Sequence, residues 1–164
     1  MKTRFKTQLS SQFLVATLLS LGLASSATWA DGDLKRMPAG APKAFQSECA
    51  SCHTAYSPKL LPAASWGRIM DKLDKHYGLN ATLSVEETRD IKRWLMDNAT
   101  TKSKRMEEPP QDRITEAAWF KKEHRRVSQA TWANPAVKSP SNCAACHTQA
   151  DKGRFDDDNL RIPR

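Results

Sequence analysis

The stretch CASCHTA at residues 49–55 is nearly repeated as CAACHTQ at residues 143–149. The two copies hold all four cysteines of the chain and two of its four histidines. Any fold must therefore present two C-x-x-C-H turns whose first cysteines lie 94 residues apart.

Several chemistries use paired cysteines. A zinc site can take C-x-x-C pairs, but here the pairs are far apart and each is followed at once by histidine. A redox dithiol of the thioredoxin kind needs a β-α-β context, which the sequence lacks. Disulfides suit an oxidising compartment and an even cysteine count, yet cysteines three positions apart make poor long-range staples. C-x-x-C-H is, by contrast, the attachment motif of c-type haem. Two thiols on one turn reach the two vinyl groups on one porphyrin edge, and the adjacent histidine then lies under the iron. On this reading Cys49, Cys52 and His53 hold one covalently bound haem c, and Cys143, Cys146 and His147 hold a second.

Two haems leave two iron faces open, and His76 and His124 are the two remaining histidines. Trp66, Ile69, Leu73 and His76 recur at helical spacing, as do Phe120, His124 and Val127, placing both histidines on apolar stripes. A lone histidine on such a stripe is ordinarily a satisfied core residue. Four histidines for four axial positions favour bis-histidine ligation, with His76 and His124 as the distal ligands. Methionine is the rival sixth ligand, and Met70 and Met96 at helical spacing read as core filler. An open sixth position is the third option. His76 follows His53 by 23 residues and His124 precedes His147 by 23. Local pairing is the simplest topology, and a crossed one stays open. Two imidazoles on each iron put the potential on the low side of the c-type range.

The first thirty residues read as a secretory leader: Lys2, Arg4 and Lys6, an apolar run over residues 13–24, then Thr28-Trp29-Ala30 as a cleavage site. The apolar run is too short to span a bilayer, which takes about 20 residues. Removing thirty residues from 164 leaves 134, with 23 Lys and Arg against 18 Asp and Glu. A nucleic-acid binder would want a more basic chain and a known motif, and export argues further against it. The mild basic excess is concentrated in residues 101–140, which carry nine cations and five anions. The clusters Lys102-Lys104-Arg105 and Lys121-Lys122-Arg125-Arg126 read first as solvated faces. The second brackets His124 and could pair with haem propionates or steer an acidic redox partner.

The pattern predicts a mainly α fold: two small helical haem-binding halves with long irregular connections and no substantial sheet. Helices are expected over residues 42–53, over 66–77 capped by Ser65, over 85–98 opened by the Ser84/Glu87 capping box, and over 116–128 capped by Thr115. Residues 129–142 read as a loop and the tail from Gly153 as extended. The expected organisation is a cleaved leader at 1–30, an N-terminal half at 31–100, a charged linker at 101–111 and a C-terminal half at 112–164.

The segments ECASCHTAYSPKLLPAASW, DKLDKHYGLNA, AWFKKEHRRV and VKSPSNCAACHTQADKGRFDDDNLRIP resemble the small bacterial dihaem cytochrome c family, DHC. The resemblance implies His53 and His147 as proximal ligands and His76 and His124 as distal ones. It also implies a periplasmic electron carrier, with a membrane b-type cytochrome as donor and a monohaem, oxygen-binding cytochrome c as acceptor. No constellation of acid, base or nucleophile points to an enzyme. The other readings are a small electron-transfer subunit of a periplasmic reductase, and a gas- or peroxide-reactive cytochrome with one open haem.

Overall fold

The computed structural model describes residues 36–163, and the expected leader at residues 1–30 lies outside them. Among the described residues the chain forms five α-helices joined by loops and single 3-10 turns, with no strand beyond two isolated bridges. The mainly α expectation holds. No helix among them is long and apolar enough to cross a membrane.

Helix α1, Lys43–Cys49, buries Phe45 and stops at the first cysteine, short of the expected helix over residues 42–53. The cause is local. Ser51 Oγ donates to the Glu48 carbonyl at 2.7 Å, and this side-chain bond favours a turn over further helix. Helix α2, Ala63–Met70, begins three residues before the expected start. Pro62 is its N-cap, with φ −67° already close to helical. Ser65, expected as the cap, is instead fully buried and accepts from Arg68 at 3.3 Å.

The largest departure follows. The helix expected over residues 66–77 ends at Met70, and after a 3-10 turn at Leu73–Lys75 the chain turns sharply through His76, Tyr77 and Gly78. Tyr77 takes φ 51° and Gly78 φ 97°, and the Leu79 N–H closes onto the His76 carbonyl at 3.0 Å. Asp71, at the break, is tied to Lys92 at 2.5 Å. His76 is therefore a loop residue rather than part of a helical stripe. Tertiary placement overrides the local periodicity here.

Helix α3, Val85–Asp97, matches expectation, including both arms of the Ser84/Glu87 capping box. Its Ile91, Trp94 and Leu95 pack on Trp66 and Met70 of α2 and on Phe45 of α1 in one apolar cluster that also takes in Leu61 and Ala99. The indole N–H groups are satisfied: Trp66 donates to the Pro58 carbonyl at 2.8 Å and Trp94 to that of Ala39 at 3.1 Å. Ser84→Ala removes the Oγ that accepts from the Glu87 N–H at 3.2 Å. It should cost about 1 kcal/mol, lowering the melting temperature of the haem-loaded protein by ~4 °C in a far-ultraviolet circular dichroism melt.

The charged linker is pinned rather than loose. Arg68 of α2 grips Asp112 through both carboxylate oxygens, at 3.0 and 2.6 Å, and Glu108 at 2.7 Å. The Arg68 guanidinium holds the Asp112 carboxyl below the usual range. The Tyr77 hydroxyl lies 3.1 Å from the carbonyls of Gln111 and Asp112, both of which adopt φ 56°. Such left-handed backbone costs roughly 1–2 kcal/mol per residue outside glycine, and these contacts offset it.

Helix α4, Ala118–Glu123, is half the expected length and is preceded by a 3-10 turn containing Thr115, so Thr115 is not its cap. His124 closes it as the C-cap. Ser128 then caps a single helical turn, α5, Gln129–Trp132, accepting from the Thr131 N–H at 3.1 Å where a loop was expected. Beyond the second motif Gly153 adopts φ 69° and packs against Met37, whose backbone nitrogen would lie 3.0 Å from any Cβ there. The beginning and end of the described chain thus meet.

Candidate haem sites

Each C-x-x-C-H motif is a turn, and each faces one of the other histidines. In the first half the His53 and His76 ring centres are 6.1 Å apart with their planes 23° from parallel. In the second half His124 and His147 are 6.2 Å apart and 73° from parallel. An imidazole nitrogen binds a first-row metal at about 2.0–2.1 Å, with the ring centre ~1.1 Å behind it, so two rings facing one iron stand roughly 6.3 Å apart. Both pairs match that spacing, and both are local.

The rings are also held as metal ligands are held. A ligating histidine typically engages its second nitrogen with a carbonyl or carboxylate, leaving the first for the metal. His53 Nδ1 is 2.7 Å from the Thr54 carbonyl and His124 Nδ1 is 2.9 Å from that of Phe120, each leaving Nε2 available. His147 differs: its Nδ1 is buried without a hydrogen-bond partner. It is placed by its backbone, which donates to the Cys143 carbonyl at 2.8 Å, and by a bridge to Leu160. Burial, then the neighbouring His53, pulls His76 below its ordinary value. Burial, then His124, does the same to His147. Neutral imidazole is the ligating form.

A cleft of about 530 Å³ lies at the first pair, a volume typical of cofactor pockets. Cys49, Cys52, His53 and His76 line it together with Met70 and, from the second half, Cys143. Met70 is buried in the apolar cluster while bordering this cleft, so the rival ligand is nearby, but His76 is the residue that stands opposite His53. Met96 lies on the surface side of α3 against Gly67. At the second pair the rings sit among aromatics: Phe120 stacks on His124 at 4.0 Å, Trp132 is 5.9 Å from it, and Phe155 is 5.7 Å from His147.

The thiols do not look like a redox dithiol. Reactive cysteines of that kind have depressed pKa values, whereas burial pushes Cys49 and Cys143 up to about 11 and also raises Cys146. All four are free of disulfides. Among the described residues no three Cys, His, Asp or Glu side chains converge as a bare metal site would require. Cysteine pairs beside facing histidines fit a haem bound by thioethers and imidazoles.

Other contributors went unread in the sequence. The tail straps the second motif: Thr148 N–H donates to the Asn159 carbonyl at 3.0 Å and Arg161 N–H to that of Cys146 at 2.8 Å. Buried Asp156 holds Asn159 at 3.0 Å, so the DDDNLRIP segment is folded onto the site rather than trailing. Tyr56 stacks on His53 at 4.7 Å. No periodicity marks these contacts, although the tail's sequence contributed to the family resemblance. Arg105 lies 5.0 Å over the Trp119 ring, so the first basic cluster is not wholly solvated.

The fold and its paired motifs define a two-site c-type haem protein. A dihaem cytochrome c family model matches residues 45–155, and the chain belongs to that family. It carries two covalently bound haem c groups. Among solved structures, the dihaem cytochrome c of Shewanella baltica OS155 is 38% identical, with a TM-score of 0.65 over 74% of this chain and 92% of that one. A DHC structure from Rhodobacter sphaeroides is 40% identical, with a TM-score of 0.58 over 68% of this chain and 94% of that one. Another dihaem cytochrome c structure from Rhodobacter sphaeroides is 35% identical, with a TM-score of 0.64 over 73% and 99%. No curated protein matches the chain.

Proposed function

We propose that the protein is a periplasmic one-electron carrier whose two haems are both closed by histidine pairs. The observation that carries this reading is the 6.1 and 6.2 Å spacing of His53–His76 and His124–His147. Cys49 and Cys52 hold the first haem and Cys143 and Cys146 the second. When bound, haem c supplies reversible one-electron exchange between ferric and ferrous iron. The chain's part is to fix each iron's axial ligands, exclude small-molecule ligands and keep the two sites adjacent. Hydrogen bonds from Nδ1 orient His53 and His124, and the turn at residues 76–79 and the tail strap hold His76 and His147. Two imidazoles per iron favour a low potential.

Lys121, Lys122, Arg125 and Arg126 are exposed around His124, with Lys121 bonded to Glu116 at 2.7 Å. Such a face steers an acidic partner by long-range attraction. The donor in this reading is a membrane b-type cytochrome and the acceptor a monohaem, oxygen-binding cytochrome c, both taken from the family resemblance.

The two histidine pairs give this reading a spectroscopic test. Near-parallel imidazole planes split the iron dπ orbitals, whereas near-perpendicular planes leave them close in energy and the g-tensor strongly anisotropic. With planes at 23° and 73°, low-temperature electron paramagnetic resonance of the oxidised protein should show two unlike low-spin signals. One should be rhombic and one a single strongly anisotropic low-field feature. The reduced protein should not respond to carbon monoxide. A stable high-spin fraction would favour the open-haem reading instead. Recovery in complex with a reductase from periplasmic extract would make the protein a subunit rather than a free carrier.

A further inference from the structure

Tyr56 lies three residues beyond the first motif's histidine, and it makes two contacts of different kinds. Its ring lies against the His53 imidazole, 4.7 Å between centres and 16° from parallel. Its hydroxyl donates to the Ser141 carbonyl at 2.6 Å, across 85 residues of sequence. Ser141 is two residues ahead of Cys143, and the same carbonyl lies 3.6 Å from Cys143 Sγ. One half-buried side chain therefore touches the proximal histidine of the first site and the loop leading into the second motif. Ser141 and Cys143 also line the cleft that contains His53 and His76.

The contacts constrain both sites. A proximal imidazole can rotate about its bond to the metal unless something fixes its plane. His53 is fixed by its Nδ1 contact with the Thr54 carbonyl and by the Tyr56 ring on its face. The other end of Tyr56 is anchored too, by the hydroxyl's bond to the Ser141 carbonyl. Residues 139–142 have their own local order: the Ser139 and Ser141 hydroxyls are 2.8 Å apart and Asn142 donates to the Val137 carbonyl at 3.0 Å. Lys138 sits at φ 61° just before them. The Tyr56 hydroxyl joins that ordered loop to the first motif.

The geometry points to Tyr56 as a positioning residue shared by the two haem sites: its ring sets the plane of the His53 imidazole against His76, and its hydroxyl sets the approach of the Cys143 turn. This rests on the histidine-pair reading above. The two contacts separate in two variants. Tyr56→Phe keeps the ring and loses the hydroxyl. Tyr56→Leu loses both.

The experiment uses the haem-loaded protein, with electron paramagnetic resonance, a redox titration and amide hydrogen exchange on each form. Tyr56→Phe should leave the rhombic signal of the near-parallel pair in place. It should lower exchange protection over residues 139–143 several-fold and shift the potential of the second haem, which the ring does not touch. Tyr56→Leu should in addition move the rhombic signal while leaving the strongly anisotropic one unchanged. A rhombic signal that stays fixed in Tyr56→Leu overturns the role of the ring. Unchanged exchange and an unchanged second potential in Tyr56→Phe overturn the role of the hydroxyl. If the parent protein lacks the two low-spin signals, the histidine-pair reading fails by itself. The exchange comparison still decides the link to the second motif in that case.

Discussion

Replacing His76 with alanine should convert one of the two haems from a low-spin form to a high-spin form that binds carbon monoxide once reduced. The expected change is complete at that haem, so about half of the total absorbance becomes carbon monoxide-sensitive. His124→Ala should do the same to the other half, and the double variant to all of it. The first outcome follows from the position of His76. It is half-buried at a tight turn, its ring 6.1 Å from that of His53, and alanine leaves that face to water or gas. The pairing can be read in the same experiment. If the pairs are local, His76→Ala removes the rhombic signal and spares the strongly anisotropic one, and His124→Ala does the reverse. A His76→Ala protein with two unaltered low-spin haems would remove His76 from the ligand set. Met70, which borders the same cleft, would then be the first replacement to test.

The parts of this molecule that were legible in the sequence are those fixed by short-range chemistry. The α3 helix followed from a capping box and an apolar stripe, and both are present as read. The two C-x-x-C-H motifs were legible from their spacing, although the first was expected inside the helix over residues 42–53 and instead forms a turn beyond its end. His76 and His124 were singled out by counting, because their periodicity pointed to helices that they do not belong to. In each case the helix stops early: His124 is the C-cap of α4, and His76 follows a 3-10 turn beyond the end of α2. The apolar spacing of Trp66, Ile69, Leu73 and His76 cannot tell a continuous helix from a helix followed by a 3-10 turn, since both bury residues three apart. The linker misled differently. Its charges resembled a solvated run, and only the fold reveals that Arg68 reaches Glu108 within it and Asp112 just beyond it. Tyr56 and the tail strap carry no local signal, because their partners are 85 residues away and at the second motif itself.

Loss of the second haem should unfold the second half while sparing much of the first. The two halves differ in what they bury without a cofactor. The first has a continuous cluster built on Phe45, Leu61, Trp66, Met70, Ile91, Trp94 and Leu95. Among the described residues beyond 112 the buried apolar ones are Ala117, Phe120, Val137 and Ala150, two of them alanines, and they form no such cluster. Its elements are single turns and one six-residue helix, too short to persist without packing. A macrocycle that removes on the order of 400 Å² of apolar surface from water would contribute about 10 kcal/mol at ~25 cal/mol/Å². That is comparable to the whole stability of a domain this size, about 5–15 kcal/mol. Cys143→Ala combined with Cys146→Ala should yield a chain with one covalent haem by mass. In hydrogen exchange, residues 113–163 should lose nearly all protection while α2 and α3 keep most of theirs. Cys49→Ala with Cys52→Ala should be gentler on α2 and α3, whose cluster persists beside an emptied cleft. Undiminished protection over α4 and α5 in the first double variant would show that the second half has a core independent of its haem. The tail strap and the aromatic shell around His124 would then be the first places to look for it.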